Sequence, residues 1–385
     1  MTGPSLSAIL EQPGAEPAGA PAPGGPLLCV VVPTFNERDN VEIVVERLAR
    51  VLRGIDWEVV FVDDDSPDGT AERVRRLGRT DRRVRCIRRV GRRGLSSASI
   101  EGMLSTSASF VAVMDGDLQH DEGLLPRMLE RLAAGACDLV IASRYTGAGS
   151  SDGLSAGRRR LSRAGVRLAR LFARITVDDP VSGFFMLRRD LADSLAPRLS
   201  GVGTKILIDI LTSAPRSLSV VELPYRFRAR HSGESKHGTA AGLDYVFLLA
   251  EKMSGRYVSH KLMLFGLVGA SGVAVNIAML RLLLGVFGGD FIRADAVATA
   301  AAMVSNFFLN NILTYRDSRL VGWRALRGLL IFMAVCGIGA VVNVAVARDL
   351  YAATGMWLFA GIAGAAVGAL LNYALSSIFT SGRRL

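Results

Sequence analysis

The sequence is poor in the residues that staple or export a chain. Its 385 residues include four cysteines, at positions 29, 86, 137 and 336, with no paired spacing. That excludes a disulfide framework and a cysteine-based zinc site, and it fits a reducing compartment. The first residues lack the basic start and apolar run of a signal peptide, so secretion is not expected. Lysine is nearly missing. Only Lys205, Lys236, Lys252 and Lys261 stand among 46 basic residues, and the other 42 are arginine. Arginine is the better fork for phosphate and carboxylate, and a net charge of +11 suits an anionic partner such as a nucleotide, a nucleic acid or a membrane surface. No G-x-G-x-x-G follows a strand-like run and no G-x-x-x-x-G-K-[ST] occurs, which argues against a dinucleotide fold and a P-loop.

Charge is also unevenly spread. Of 46 basic and 35 acidic residues, only 14 in all lie after residue 260. Four apolar runs fill that part, at about 262–288, 294–315, 325–347 and 356–379. Each is long enough to cross a bilayer as a helix, which takes roughly 20 residues. Asn276, Arg281, Asn306, Asn310, Asn311, Asn343 and Asn372 lie in or at the ends of these runs. Such residues form interhelical hydrogen bonds or mark a pathway through the bilayer. Arg316, Arg319, Arg324 and Arg327 separate the second run from the third, Arg383 and Arg384 follow the fourth, and Arg256 and Lys261 precede the first. The opposite loops carry only Arg293 and Arg348. By the positive-inside rule, the N-terminal part and the C-terminus face the cytoplasm, as expected of a multi-pass protein of the plasma membrane.

Four segments result. Residues 1–26, with six prolines and five glycines, read as a disordered tail. Residues 27–238 alternate strand-like runs with amphipathic helices, which indicates an α/β domain with a mostly parallel sheet. Residues 239–260 read as amphipathic helices along the membrane, and 261–385 as an all-α membrane domain of four helices. In an open parallel sheet, ligands bind outside the carboxyl ends of the strands. Three strand-like runs end there in polar loops: Pro33-Thr34-Phe35-Asn36-Glu37, Asp63-Asp64-Asp65 with Ser66-Pro67-Asp68-Gly69-Thr70, and Asp115-Gly116-Asp117-Leu118-Gln119-His120.

The third loop carries the strongest chemical signal. Hard divalent cations take oxygen ligands, and Mg²⁺ usually accepts one or two carboxylates and completes its shell with substrate phosphates and water. Asp115, Asp117 and the Gln119 amide oxygen form such a set, although two aspartates at a strand end also serve as a turn or cap. An aspartate of the 63–65 run could accept hydrogen bonds from a base or ribose, or cap the next helix. Farther on, Arg158, Arg159, Arg160, Arg163, Arg167, Arg170 and Arg174 alternate with Leu161, Val166, Leu168, Leu171, Phe172 and Ile175. That pattern suits the headgroup layer or a solvated helix face. No aromatic stacking platform accompanies these arginines, so nucleic acid is not the expected partner.

Taken together, PTFNE, VDDDSPDGT, MDGDLQHDE, ASRY, SGFF and RHSGESK resemble the family-2 glycosyltransferases with a GT-A fold, and among them the polyprenol-phosphate (dolichol-phosphate) mannose synthases. FGLVGASGVAVN and SNFFLNNILTY resemble the GtrA-type membrane domain. The resemblance implies a nucleotide-sugar pocket lined by Pro33, Phe35, Glu37, Val62, Asp64, Asp115, Gly116, Asp117, Gln119, Arg144, Arg230 and Lys236. It implies Mg²⁺ or Mn²⁺ on Asp115, Asp117 and Gln119, with Asp115, Asp117 and Arg144 nearest the chemistry. Arg158 and Ser162 match positions that hold the lipid phosphate. Phe35 stands where tyrosine is frequent, and Gly116 where alanine is frequent; neither change removes a ligand. The implied reaction moves mannose from GDP-mannose to a polyprenyl or dolichyl phosphate at the bilayer, with inversion. No residue excludes UDP-glucose as donor on physical grounds, and an oligomer is compatible with all of this. A different class, a lipid-linked-sugar translocase with a nucleotide-sugar-binding module, stands as the rival.

Overall fold

The computed structural model describes residues 25–147, 176–201, 203–228, 260–286, 291–315 and 319–356, together with 363, 367 and 370–375. The chain divides into two compact units, Met1–Gly255 and Arg256–Leu385. Nearly all of the expected tail, the basic stretch 158–175, and the expected interfacial helices lie outside the described residues.

The first unit is built on a seven-stranded sheet. Its elements run β1 (Leu28–Thr34), α1 (Val41–Val51), β2 (Trp57–Asp63), α2 (Thr70–Gly78), β3 (Val84–Arg88), α3 (Leu95–Leu104), β4 (Phe110–Val113), α4 (Leu125–Ala133), β5 (Leu139–Ser143), β6 (Phe185–Arg188), α5 (Arg189–Leu195), α6 (Ile206–Ser213) and β7 (Val220–Pro224). The spatial order is β3-β2-β1-β4-β6-β5-β7. β1 is parallel to β2 and β4, β2 to β3, and β5 to β7, whereas β6 runs antiparallel to both β4 and β5.

Side-chain alternation explains why both faces are covered. Leu28, Val30 and Val32 of β1 enter one core with α1 and α4, while Cys29 and Val31 enter another with α3, α5 and α6. α1 buries Val41, Val44, Val45 and Leu48, and α4 buries Leu125, Met128, Leu129 and Leu132. Both sets have the i, i+3, i+4, i+7 spacing of one helix face. α3 lies very close to the sheet at Gly102, where a Cβ would run into the side chains of Val31 and Val62. The alternation of strands and helices and the mostly parallel sheet expected from the sequence are found.

The second unit is helical. α7 (His260–Val286) and α8 (Phe291–Leu309) are followed by a π-helical turn at Asn310–Thr314 and by α9 (Trp323–Thr354). Among the described residues, Leu262–Gly285 and Ala296–Thr314 are long and apolar enough to cross a membrane. α9 spans 32 residues, and the fourth expected span lies largely outside the described residues. Several of the asparagines make local contacts. Asn276 donates to Thr299 Oγ1 at 3.1 Å, and Asn311 exchanges hydrogen bonds of 2.9 and 2.8 Å with the Leu320 backbone. Asn306 packs on Gly272, and Asn372 packs on Gly339 in the same way. In the sequence, each of those glycines is followed four residues later by an asparagine, Asn276 and Asn343.

Candidate active site at the carboxyl edge of the sheet

Parallel strands deliver their loops to one edge, and here β1, β2 and β4 do so side by side. The residue that turns the chain just past each strand has a left-handed backbone: Asn36 (φ 55°), Asp65 (φ 56°) and Leu118 (φ 64°). Asparagine and aspartate tolerate this conformation, but leucine does so only under strain, on the order of 1–3 kcal/mol. Leu118 lies between Asp117 and Gln119, so the strained turn is the one that carries the expected metal ligands.

The first two loops are laced together. The Asn36 amide donates to Ser66 Oγ at 2.9 Å, and the Glu37 amide to Thr70 Oγ1 at 3.0 Å. Glu37 accepts from Asn40 Nδ2 at 2.6 Å, and the Arg93 guanidinium lies 4.5 Å from the centre of the Phe35 ring. Pro33 pairs with Val62 across the two strands. The acidic run divides its work. Asp63, fully buried, accepts from the Ser66 amide at 2.9 Å and closes the turn. Asp64 accepts from Arg89 Nη1 at 2.7 Å and from the Gly94 amide at 2.6 Å. Burial pushes the Asp64 carboxyl above its ordinary pKa, against the pull of Gly94 and Arg89. The N-cap of the next helix is Gly69, with no side-chain cap; Asp68, just before it, accepts from the Thr70 amide and hydroxyl at 3.0 and 2.6 Å.

The third loop gathers Asp115, Asp117 and Gln119 within one turn after β4. Asp117 Oδ1 accepts from the Gln119 amide at 3.2 Å, and Gln119 Nε2 donates to the Arg228 carbonyl at 3.0 Å. The Gln119 donor is therefore engaged with backbone. Among the described residues, no group of three or more His, Cys, Asp or Glu side chains gathers as a metal cage. Two carboxylates and an amide oxygen nonetheless fit a hard cation that takes the rest of its shell from phosphates and water. Gly116 is buried against Val32 and Thr34.

Because β6 runs against its neighbours, its beginning arrives at the same edge. Val113 and Ile141 both register with Phe185, which sets Gly183 against Asp115. A Cβ on Gly183 would stand 2.7 Å from Asp115 Oδ2 and 3.1 Å from its Cγ. Gly183→Ala is expected to displace that carboxylate and lower turnover by about 100-fold, as angstrom-scale misplacement can. Thermal unfolding alongside turnover checks this, and unchanged turnover would contradict the contact.

Arg144 follows β5. Its Nε and Nη2 each donate to the Asp179 carboxylate at 2.7 Å, and its own amide donates to the same group at 3.0 Å. Asp179 is fully buried, and Glu222 fixes its loop by accepting from the Asp178 and Asp179 amides at 2.7 and 3.0 Å. Burial works against the Arg144 charge, yet the Asp179 pairing prevails and raises its pKa. Lys205, just before α6, stands in the same field. Burial and Arg144 lower its pKa, while Asp115 and Asp179 oppose the shift. Arg158, Ser162, Arg230 and Lys236 lie outside the described residues. Sequence reasoning missed Asp179, Gly183, Lys205 and Tyr225. SGFF includes Gly183 and begins three residues after Asp179, and Lys205 is one of only four lysines, so these three left a trace; Tyr225 left none.

Comparison with known proteins identifies the family. Residues 29–195 match glycosyl transferase family 2, and residues 264–381 match the GtrA/DPMS transmembrane domain. The chain is 36% identical over 321 residues to the dolichol-phosphate mannosyltransferase of Pyrococcus furiosus, covering 82% of this chain and 88% of that one. It is 32% identical over 247 residues to the dolichol-phosphate mannosyltransferase of Saccharomyces cerevisiae, covering 61% and 90% of the two chains. Among solved structures, glucosyl-3-phosphoglycerate synthase from Mycobacterium tuberculosis, in complex with Mn²⁺, UDP and glucosyl-3-phosphoglycerate, aligns with TM-score 0.49 and 20% identity over 66% of this chain and 86% of that one. That likeness is too distant to carry a substrate or metal across. The chain is a membrane glycosyltransferase, and it belongs to the dolichol-phosphate mannosyltransferase family, with a family-2 catalytic domain joined to a GtrA/DPMS transmembrane domain.

Proposed function

We propose that the protein transfers mannose from GDP-mannose to the phosphate of a dolichyl or related polyprenyl phosphate, with inversion, at the cytoplasmic face of the plasma membrane. One observation carries this reading: the Asp115–Gln119 turn, Asp64 and Arg144 share one sheet edge in a chain 36% identical to a dolichol-phosphate mannosyltransferase.

The acceptor brings its own nucleophile. A phosphate monoester is largely a dianion at neutral pH, since its second pKa is about 6. Its oxygen attacks the anomeric carbon as the bond from that carbon to the GDP β-phosphate oxygen breaks, and the bonding electrons leave with GDP. No protein base is required, and His120 is not assigned one. Phe35, Glu37 and Asp64 are assigned to the nucleotide, with Pro33 and Gly116 completing the pocket; the Val62 side chain, expected there, is instead fully buried in the core beneath α3, so Val62 can offer the pocket only its backbone. Asp115, Asp117 and the Gln119 amide oxygen are the groups that would hold Mg²⁺ or Mn²⁺. A bound divalent cation supplies Lewis-acid neutralisation of the leaving diphosphate. Arg144, held rigid by Asp179, offers positive charge near the sugar and phosphates. Arg230 and Lys236 are assigned to the diphosphate, and Arg158 and Ser162 to the lipid phosphate. The remaining contribution is positioning.

The test uses full-length protein in lipid with dolichyl phosphate, Mg²⁺ or Mn²⁺, and labelled GDP-mannose or UDP-glucose, followed by lipid extraction. Label in the organic phase from GDP-mannose alone is expected. Label from UDP-glucose alone would overturn the sugar, and label from neither would overturn the transfer itself.

A further inference from the structure

His120 is the one polar side chain of the Asp115–His120 turn for which the reaction above has no use, yet it is among the most firmly held. It is 3% exposed. Its ring packs against Phe184 at 5.4 Å, Tyr225 at 5.7 Å and Phe227 at 5.6 Å between centroids. Its two nitrogens reach opposite partners: Nε2 lies 3.2 Å from Asp115 Oδ2, and Nδ1 lies 2.9 Å from the Tyr225 hydroxyl.

The chemistry of the partners assigns the protons. An ionised carboxylate only accepts, so Nε2 must carry the hydrogen. In a neutral imidazole Nδ1 then accepts, and the Tyr225 hydroxyl donates to it. Burial keeps that phenol protonated by raising its pKa well above the ordinary value, which agrees with its role as donor. We propose that His120 is a positioning residue for Asp115, with its Nε2–H tautomer locked by Tyr225, so that the pair sets how tightly the site takes a divalent cation together with GDP. The proposal rests on the metal reading of Asp115, Asp117 and Gln119.

The sheet explains how residues so far apart in sequence meet. β7 is parallel to β5, with Ser143 in register with Pro224, so Tyr225 emerges at the same edge as the turn after β4. From there the chain stays with the turn. The Arg228 amide donates to the Gln119 carbonyl at 2.9 Å while Gln119 Nε2 donates to the Arg228 carbonyl at 3.0 Å. Gly183 presses on Asp115 from another side. The Asp115 carboxylate is thus bounded by an N–H donor and a backbone wall, and the Gln119 side chain is turned by a strand-like pairing. Metal-binding carboxylates are commonly oriented by such outer partners, whose loss costs roughly 10–100-fold in metal affinity.

The test reads binding rather than turnover. Full-length protein in detergent, saturated with GDP, is titrated with Mn²⁺, and free Mn²⁺ is followed by electron paramagnetic resonance. His120→Phe, which keeps the ring but removes both nitrogens, is expected to weaken Mn²⁺ affinity by about 10–100-fold. His120→Gln, which can still offer an N–H to Asp115, is expected to recover most of it. Tyr225→Phe, which preserves the packing and removes only the tautomer lock, is expected to fall between wild type and His120→Phe. Wild-type affinity in both His120→Phe and Tyr225→Phe would overturn the proposal while leaving the metal reading intact. Equal losses in His120→Phe and His120→Gln would also overturn it, since packing alone would then explain them. Absence of GDP-dependent Mn²⁺ binding in the unaltered protein would overturn the metal reading, and the proposal with it.

Discussion

Asp117→Ala is expected to all but abolish mannosyl transfer, lowering turnover by about 100–1,000-fold, in a chain that still folds and inserts. The magnitude follows from what is lost where charge develops. Removing one preorganised charge-stabilising group costs about 100–1,000-fold in comparable sites, and here the loss would fall on the leaving diphosphate. Asp117 also supports its own turn through the 3.2 Å bond from the Gln119 amide. Asp117→Asn separates the two roles, because the amide oxygen can still accept that bond while the charge is gone. Turnover of both variants, measured as label in extracted lipid, decides between them. Loss in both is expected; recovery in the asparagine variant would reduce Asp117 to a turn residue.

Asp179→Ala should be the most damaging single change to the stability of the catalytic unit. Asp179 is fully buried, and its carboxylate receives both Arg144 bonds at 2.7 Å. Deleting one partner of a buried pair leaves the other charge without compensation, at a cost of about 3–5 kcal/mol. Replacing both partners by apolar residues of similar volume, as in Asp179→Leu with Arg144→Met, is expected to restore much of that stability. Turnover should not return with it, because Arg144 is assigned to the sugar and phosphates. Arg144→Lys should also fail, since an ammonium cannot reproduce the two-pronged geometry. Thermal unfolding of the full chain in detergent, set beside turnover, separates these effects. Recovery of both in the double variant would leave Arg144 a purely structural role.

Where local pattern carries the information, the sequence was readable. The near-continuous apolar runs Leu28 to Val32 and Val59 to Val62 marked both strands as buried on both faces, and the spacing of Val41, Val44, Val45 and Leu48 fits the first helix. The loops after β1, β2 and β4 were found at one edge because parallel strands must bring them there. Direction was not readable for β6. Phe185 to Arg188 is a short apolar run, and nothing in such a run says which way it passes through the sheet. The antiparallel passage is what carries Gly183 to Asp115. The Arg144–Asp179 pair and the His120–Tyr225 contact were hidden for a related reason. They join residues 35 and 105 positions apart, and only strand order brings them together. The three aspartates at 63–65 looked alike in sequence; their different burial and neighbours divided them between turn closure, the Arg89 contact and an ion pair with Arg88.

The central mechanistic claim is that the lipid phosphate attacks the sugar directly, without a covalent intermediate on the protein. It is tested most directly by the anomeric configuration of the lipid-linked mannose made from GDP-α-mannose, read from the carbon–hydrogen coupling at the anomeric centre. A single displacement gives the β-linked product, which is the expected result. An α-linked product would contradict the claim, because a single in-line displacement at the anomeric carbon must invert it.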